Sequence, residues 1–282
     1  MSQARLMDGT GLARRIVDET AKRAADLTER TGVAPCLATV LVGEDPASVT
    51  YVRMKQNRSR KAGIESRHVA LPAGTTTDEL IGTLTELSAD PTVHGILLQH
   101  PMGHHIDERA AFEAIAPEKD VDGVTLASFS AMSFGLPGFA SCTPGGIMRL
   151  LDEYDVDPAG KRAVVVGRSA ILGKPVGMLL LGRDATVTYC HSRTADLSAA
   201  VREADIVLAA VGRPRLIRGE DIKPGAVVVD AGYNPGNIGD VDFDSARERA
   251  SLITPVPGGV GPMTIATLLA QTVEAATRQT GA

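Results

Sequence analysis

At 282 residues the chain is long for one compact core and comfortable for two domains. Hydrophobic residues make up 44% and charged residues 22%, an ordinary globular balance that excludes long disorder. The net charge of −5, with Lys and Arg spread among acids, excludes a nucleic-acid stripe, and three scattered cysteines (Cys36, Cys142, Cys190) suit neither a disulfide framework nor a zinc site.

Leu12, Ile16, Ala24 and Leu27 recur at helical spacing as far as Thr31-Gly32, and Cys36 to Val42 is then a short apolar run. These predict a helix and a buried strand. A second helix is expected from near Pro46-Ala47-Ser48 to Gly63, with a strand over His68 to Leu71. Thr77 to Ser88 repeats the helix and Gly95 to Gln99 the strand. Val124 to Ser141, with Gly135, Pro137 and Gly138, breaks the rhythm and reads as a domain junction. Four more short strands follow: Ala163 to Val166, Thr186 to Tyr189, Ile206 to Ala209 and Val227 to Asp230. Helices are expected around Pro175 to Leu181 and Ala195 to Arg202, and a last one over Pro262 to Thr277. This alternation predicts an α/β fold with mostly parallel sheets and chemistry at the carboxyl ends of strands. The charged stretch Met1 to Arg15 has no apolar h-region, and no run approaches the ~18 to 20 apolar residues of a membrane span. A cytoplasmic protein without a membrane partner is the expectation.

Val164-Val165-Val166-Gly167-Arg168-Ser169, with Gly173 and Pro175 opening a helix, is a strand, a glycine turn and a helix start, which aims backbone N–H groups at a phosphate. The spacing of Gly167, Gly173 and Gly177 is not G-x-G-x-x-G, so alone it equally suits any turn in a parallel sheet. The next strand narrows the choice. Where an NAD site places an acid for the ribose, this one runs Cys190-His191-Ser192-Arg193-Thr194, and a hydroxyl with a guanidinium favours the 2′-phosphate of NADP.

Tyr51 and Lys55 would share a helix face, with Ser48 one turn earlier. A Lys partly withdrawn from water there could trade protons near neutrality, although Arg53, Arg58, Arg60 and Lys61 also allow a solvated basic face. Gln99 ends a buried strand, and Lys119-Asp120-Val121-Asp122-Gly123 sets two carboxylates on a turn. One acid facing a cleft is the expectation, in preference to a paired-carboxylate hydrolase. His100, His104 and His105 lack further ligands at metal spacing and read as exposed, so no metal is expected.

Taken in order, Ser48-x-x-Tyr51-x-x-x-Lys55, Gly95 to Gln99, Pro117 to Gly123, Cys142-Thr143-Pro144, Val166 to Ser169, Cys190-His191-Ser192 and Pro255 to Thr264 resemble the bifunctional methylenetetrahydrofolate dehydrogenase/methenyltetrahydrofolate cyclohydrolase family over nearly the whole chain. The resemblance implies a folate-binding catalytic domain over residues 1–140 plus 264–282. It implies a Rossmann-type NADP-binding domain over 141–263, a cleft where the two meet, and a homodimer. Lys55 would be the acid/base, Tyr51 would position tetrahydrofolate derivatives, Gln99 would tune Lys55, and Asp122 would hold the pterin. Pro257 and Gly258 would lie against folate. Thr143, Gly167, Arg168, Ser169, Ser192, Arg193, Tyr233, Gly261 and Thr264 would line the cofactor site. The product, 10-formyltetrahydrofolate, would place the enzyme in one-carbon metabolism and purine biosynthesis.

Four departures from the family pattern stand out: Gln99-His100-Pro101-Met102-Gly103 in place of Gln-Leu-Pro-Leu-Pro, Ser141 in place of proline, Leu172 in place of valine, and Tyr233 in place of a smaller aliphatic. The first leaves open a dehydrogenase with weak or lost cyclohydrolase activity. A non-catalytic nucleotide sensor would need the glycine turn but not Tyr51, Lys55, Gln99 and Asp122 together. A shikimate-type or hydroxy-acid dehydrogenase would not need Pro255 to Thr264.

Overall fold

A computed structural model describes residues 3–43 and 55–282, which form two compact units. One unit comprises Met1–Arg14, Met132–Leu136 and Ser141–Thr267; the other comprises Arg15–Ala131, Pro137–Ala140 and Leu268–Ala282. In chain order the elements are β1 (Arg5–Leu6), α1 (Gly9–Thr31), β2 (Cys36–Val42), β3 (Glu65–Leu71), α2 (Thr77–Ala89), β4 (Gly95–Leu98), α3 (Glu108–Glu113), α4 (Leu126–Phe134) and α5 (Cys142–Glu153). They continue with β5 (Arg162–Val166), α6 (Gly173–Leu181), β6 (Thr186–Cys190), α7 (Leu197–Arg202), β7 (Ile206–Ala209), β8 (Val227–Asp230), α8 (Phe243–Arg247), β9 (Leu252–Ile253) and α9 (Val260–Thr280). Residues 55–61 are helical as well, whereas the proposed start of that helix at Pro46 to Ser48, and Tyr51, lie outside the described residues.

The smaller sheet has the order β3-β2-β4 and the larger β1-β9-β8-β7-β5-β6, and all the strand pairs are parallel. Strands β4, β7 and β8 are buried throughout, as their apolar runs require, although β4 lies at a sheet edge, while edge strands β3 and β6 alternate or expose polar residues. β3 consequently starts three residues before the expected His68, because Glu65, Ser66 and Arg67 are polar residues on a sheet edge. On one face of the larger sheet Val164, Val166, Val207, Ala209, Val228 and Ile253 build a continuous core.

The stretch read as a junction holds a helix, α4. Its sequence, LASFSAMSF, carries no polar stripe and so gave no helical period; the glycines and proline that suggested a break follow it. α5 was also missed, since Gly145 and Gly146 interrupt a pattern whose Ile147, Leu150 and Leu151 are fully buried. β1 and β9 pair over two residues each, too few for any periodicity to register.

The turn that follows α3, at Lys119 to Gly123, is pinned from several sides. Lys119, 5% exposed, donates to the carbonyls of Leu87 and Asp90 at the end of α2, and burial pushes its pKa down. Gln271 of α9 donates to the carbonyls of Val121 and Ala140 at 2.7 and 3.1 Å. Gln271→Leu should therefore strand two acceptors and lower unfolding stability by ~1–3 kcal/mol in a urea titration, and an unchanged midpoint would contradict that assignment.

Candidate active site

In the three-stranded unit, β4 delivers Gln99 as the first residue beyond its buried run, its N–H continuing the ladder to the Val40 carbonyl at 2.9 Å. Lys55 reaches it from the helix at 55–61. The Lys55 Nζ donates to Gln99 Oε1 at 3.1 Å, and the two side chains are 6% and 8% exposed. The orientation of the Gln99 amide follows from chemistry. Its Nε2 donates to the His100 carbonyl at 2.7 Å, so its oxygen faces Lys55. Lys55 is thus not on a solvated basic face. Ser59 Oγ donates to the Lys55 carbonyl one turn on, at 3.0 Å.

The Asp120/Asp122 pair divides by environment. Asp120 is fully buried and accepts from the N–H groups of Val124 and Thr125 at 3.0 and 2.9 Å, so it closes the turn. Asp122 is half-buried and free of that task. The segment is a turn rather than extended, with Gly123 N–H donating to the Asp120 carbonyl at 3.1 Å. Among the described residues no cluster of three or more His, Cys, Asp or Glu could hold a metal. His104 is exposed, and His105 Nε2 lies 3.1 Å from the Thr75 carbonyl.

In the six-stranded unit, the turn after β5 starts at Gly167, which has φ 139° and lies so close to the Ala210 carbonyl that a Cβ would collide with it. Gly173 closes the turn against the backbone of Gly167 and Arg168 with equal lack of room. Ser169 occupies part of the helix start that sequence alone reserves for phosphate. Its Oγ accepts from Leu172 and Gly173 N–H, both at 3.2 Å, and its carbonyl from Lys174 N–H at 3.0 Å. Arg168 and Ser169 are exposed beside this turn. After β6, Thr194 Oγ1 accepts from His191 N–H and His191 Nδ1 from Arg193 N–H, a compact loop that leaves Ser192 and Arg193 exposed.

Thr143 and Thr264, 121 residues apart, meet hydroxyl to hydroxyl at 2.9 Å. The loop before α9 is tied down where Thr10 N–H donates to the Gly258 carbonyl at 2.9 Å; Pro257 and Gly261 are exposed. Tyr233, 69% exposed, donates its hydroxyl to Asn237 Oδ1 at 2.7 Å.

Two family models match the chain. The catalytic domain of tetrahydrofolate dehydrogenase/cyclohydrolase covers residues 7–122, and the NAD(P)-binding domain of the same family covers residues 141–280. The chain belongs to the tetrahydrofolate dehydrogenase/cyclohydrolase family. It is similar to bifunctional protein FolD 1 of Streptomyces avermitilis, with 80% identity over 99% of this chain and 97% of that one. Among solved structures it is similar to the bifunctional FolD of Campylobacter jejuni, at 43% identity and a TM-score of 0.95, covering 98% of this chain and 99% of that one. The Trypanosoma brucei FolD, described as complexed with NADP cofactor and inhibitor, is 39% identical with a TM-score of 0.96, and each chain is fully covered. Membership of this family decides against a shikimate-type dehydrogenase.

Sequence reasoning passed over two buried carboxylates of the larger unit, Asp230 and Asp240, 4% and 0% exposed. The only signal was an acid closing the apolar run of β8. Burial pushes the Asp230 carboxyl up to about 6, with Asp240 adding to the rise and the N–H groups of Val241, Asp240 and Gly232 opposing it. A raised carboxyl means that the folded chain keeps a proton which the unfolded chain has lost, so this group's contribution to stability falls as pH rises from about 4 to 6. In a carboxyl-carbon NMR titration the Asp230 signal should move with a midpoint near 6; a signal already fully ionised at pH 4.5 would refute the assignment.

Proposed function

We propose that the chain oxidises 5,10-methylenetetrahydrofolate to the 5,10-methenyl cation with NADP and then hydrolyses that cation to 10-formyltetrahydrofolate. Family membership supports the reaction class, and the buried Lys55–Gln99 pair at the carboxyl end of β4 carries the hydrolytic half. NADP, when bound, supplies the hydride acceptor. The residues present fit it: the turn has no room for a Cβ at Gly167 or Gly173, and β6 is followed by exposed Ser192 and Arg193 where an acid would repel a 2′-phosphate. Thr143, Arg168, Ser169, Tyr233, Gly261 and Thr264 complete that wall in our reading.

In the oxidation the chain's task is alignment and tolerance of a positive charge growing on the one-carbon bridge. Asp122, half-buried on a turn held by Asp120 and Gln271, is suited to hold the pterin by hydrogen bonds, with Pro257 and Gly258 against the folate. In the hydrolysis, water adds to the methenyl carbon. Lys55 in its neutral form takes one proton from that water and, as an ammonium, returns it to the departing ring nitrogen; the C–N bond breaks as the adduct's hydroxyl releases its proton to solvent, leaving the formyl amide. Gln99 Oε1 holds the amine in one direction throughout. Tyr51 is assigned to folate positioning on the family resemblance. The same resemblance supports a homodimer formed through the cofactor domain, a cytoplasmic location, and a product that feeds purine biosynthesis.

The His100 departure motivates one second reading, a dehydrogenase with weakened cyclohydrolase activity; the decay of methenyl absorbance without NADP separates the two. Lys55→Met should lower methenyl hydrolysis by at least about a hundredfold while NADP affinity stays within about twofold of wild type. Hydrolysis at the wild-type rate would remove Lys55 from this role. Asp122→Asn should raise KM for the folate by about tenfold, on the order of one charge-assisted hydrogen bond, and an unchanged KM would contradict the pterin contact.

A further inference from the structure

Three consecutive backbone N–H groups follow β7, and all three point at one side chain. Val211 and Gly212 donate to Asp240 Oδ2 at 2.6 and 2.9 Å, and Arg213 donates to Asp240 Oδ1 at 2.7 Å. Asn234 Nδ2 adds a fourth bond to Oδ1 at 3.1 Å. Such a run of N–H groups is an anion-binding nest. Here the protein fills it with its own carboxylate, which no solvent reaches.

Asp240 is in turn held by Asp230. The Asp230 Oδ1 accepts from Gly232 and Asp240 N–H at 2.9 and 3.0 Å, and its Oδ2 from Val241 N–H at 2.9 Å. A Cβ on Gly232 would run into the Asp240 carboxyl, and one on Gly239 into the Asp230 carboxyl, so both glycines are required by close approach. The two acids therefore tie the segment after β8 (Ala231 to Asn234), which carries Tyr233, to the segment after β7.

The location gives this staple a function. In the sheet, β5 lies between β6 and β7, so the chain reverses its winding direction at the β5/β7 boundary. Ligands of doubly wound sheets bind in the crevice outside the carboxyl ends of strands at that reversal. Gly167 of the β5 turn abuts the Ala210 carbonyl, and Ala210 N–H donates to the Val166 carbonyl at 2.8 Å. Val211 to Arg213 is thus the wall facing the glycine turn across that crevice. Gly212 and Arg213 are exposed on its outer side while Asp240 fixes their backbone from beneath.

We propose that Asp240, steadied by Asp230 and Asn234, is a positioning residue for the dinucleotide: it sets the wall Val211 to Arg213 and the Tyr233 segment, and so tunes affinity for the cofactor without touching it. By occupying the nest, its carboxylate also keeps a phosphate from settling after β7 instead of on the Gly167 turn. The inference rests on the assignment of NADP to this crevice.

The test uses the full-length enzyme. NADP is varied at saturating methylenetetrahydrofolate, and hydrolysis of supplied methenyltetrahydrofolate, which needs no nucleotide, is followed in parallel as a report on the rest of the chain. Asp240→Asn places an amide NH2 among N–H donors and should raise KM for NADP by about tenfold or more with kcat within about threefold, so that the ratio of dehydrogenase efficiency to hydrolysis falls. Asn234→Ala removes one of the four donors and should raise the same KM by about threefold. An unchanged KM in a folded Asp240→Asn overturns the proposal, as do equal losses of both activities in Asn234→Ala. Should Asp240→Asn fail to fold, Asn234→Ala decides alone: a wild-type KM there also overturns it. If wild-type enzyme does not reduce NADP at all, the cofactor assignment itself has failed, a different result from any of these.

Discussion

A parallel strand covered on both faces can offer chemistry only where it ends. β4, β7 and β8 are buried along their whole length, and β5 from its second residue onward, so none can present a functional side chain from its middle. The candidate residues accordingly sit one to four residues past strand ends: Gln99 after β4, Gly167 to Ser169 after β5, Ser192 and Arg193 after β6, Val211 to Arg213 after β7, and Gly232 and Tyr233 after β8. Every connection between parallel strands must also cross back over the sheet. That requirement spaces these short segments tens of residues apart in sequence while keeping them adjacent in each unit.

Strand ends also leave N–H groups that a buried environment cannot leave unpaired, and the structure allots them deliberately. By their side chains Ser169 takes two at the start of α6, Asp120 takes two before α4, and Asp240 takes three after β7. The donors at a glycine turn are therefore not all available for a phosphate. Donors already satisfied by the protein hold their loop in one shape before any ligand arrives, which reduces the ordering cost of binding. Asp230 shows what this arrangement costs: a carboxyl with three N–H donors is still raised to about 6 because burial and a neighbouring acid outweigh them.

Much of this was legible in the sequence, for reasons that can be named. β2, β4, β5, β7 and β8 announce themselves as unbroken apolar runs, and α1 and α2 by their spacing. Gln99 and Gly167 could be found because they stand directly after such runs. The exposed hydroxyl and guanidinium after β6 were legible because only their chemical type matters. What escaped was set by tertiary contact. α4 has no polar face to give it a period, β1 and β9 are too short for a pattern, and Asp240 looks like any acid in a glycine-rich loop until the fold brings Val211 to Arg213 onto it. Ser48 and Tyr51 lie outside the described residues, so their place in the pattern rests on sequence.

Two buried lysines in the smaller unit show how burial alone fails to separate structure from chemistry. Lys119 gives hydrogen bonds to two main-chain carbonyls at the end of α2 and so ties the turn at residues 119–123 to that helix. Lys55 instead donates to a side-chain amide, the Oε1 of Gln99, at the carboxyl end of β4, where a parallel sheet places its chemistry. The orientation of that amide depends on the His100 carbonyl, a main-chain atom. Replacing the family's leucine with His100 changes a side chain that packs edge-on against Phe112, with ring centroids 6.1 Å apart, and leaves the carbonyl available. The departure thus alters packing beside the Lys55–Gln99 pair without removing the contact that aims Gln99 at Lys55, which agrees with a bifunctional member of the family.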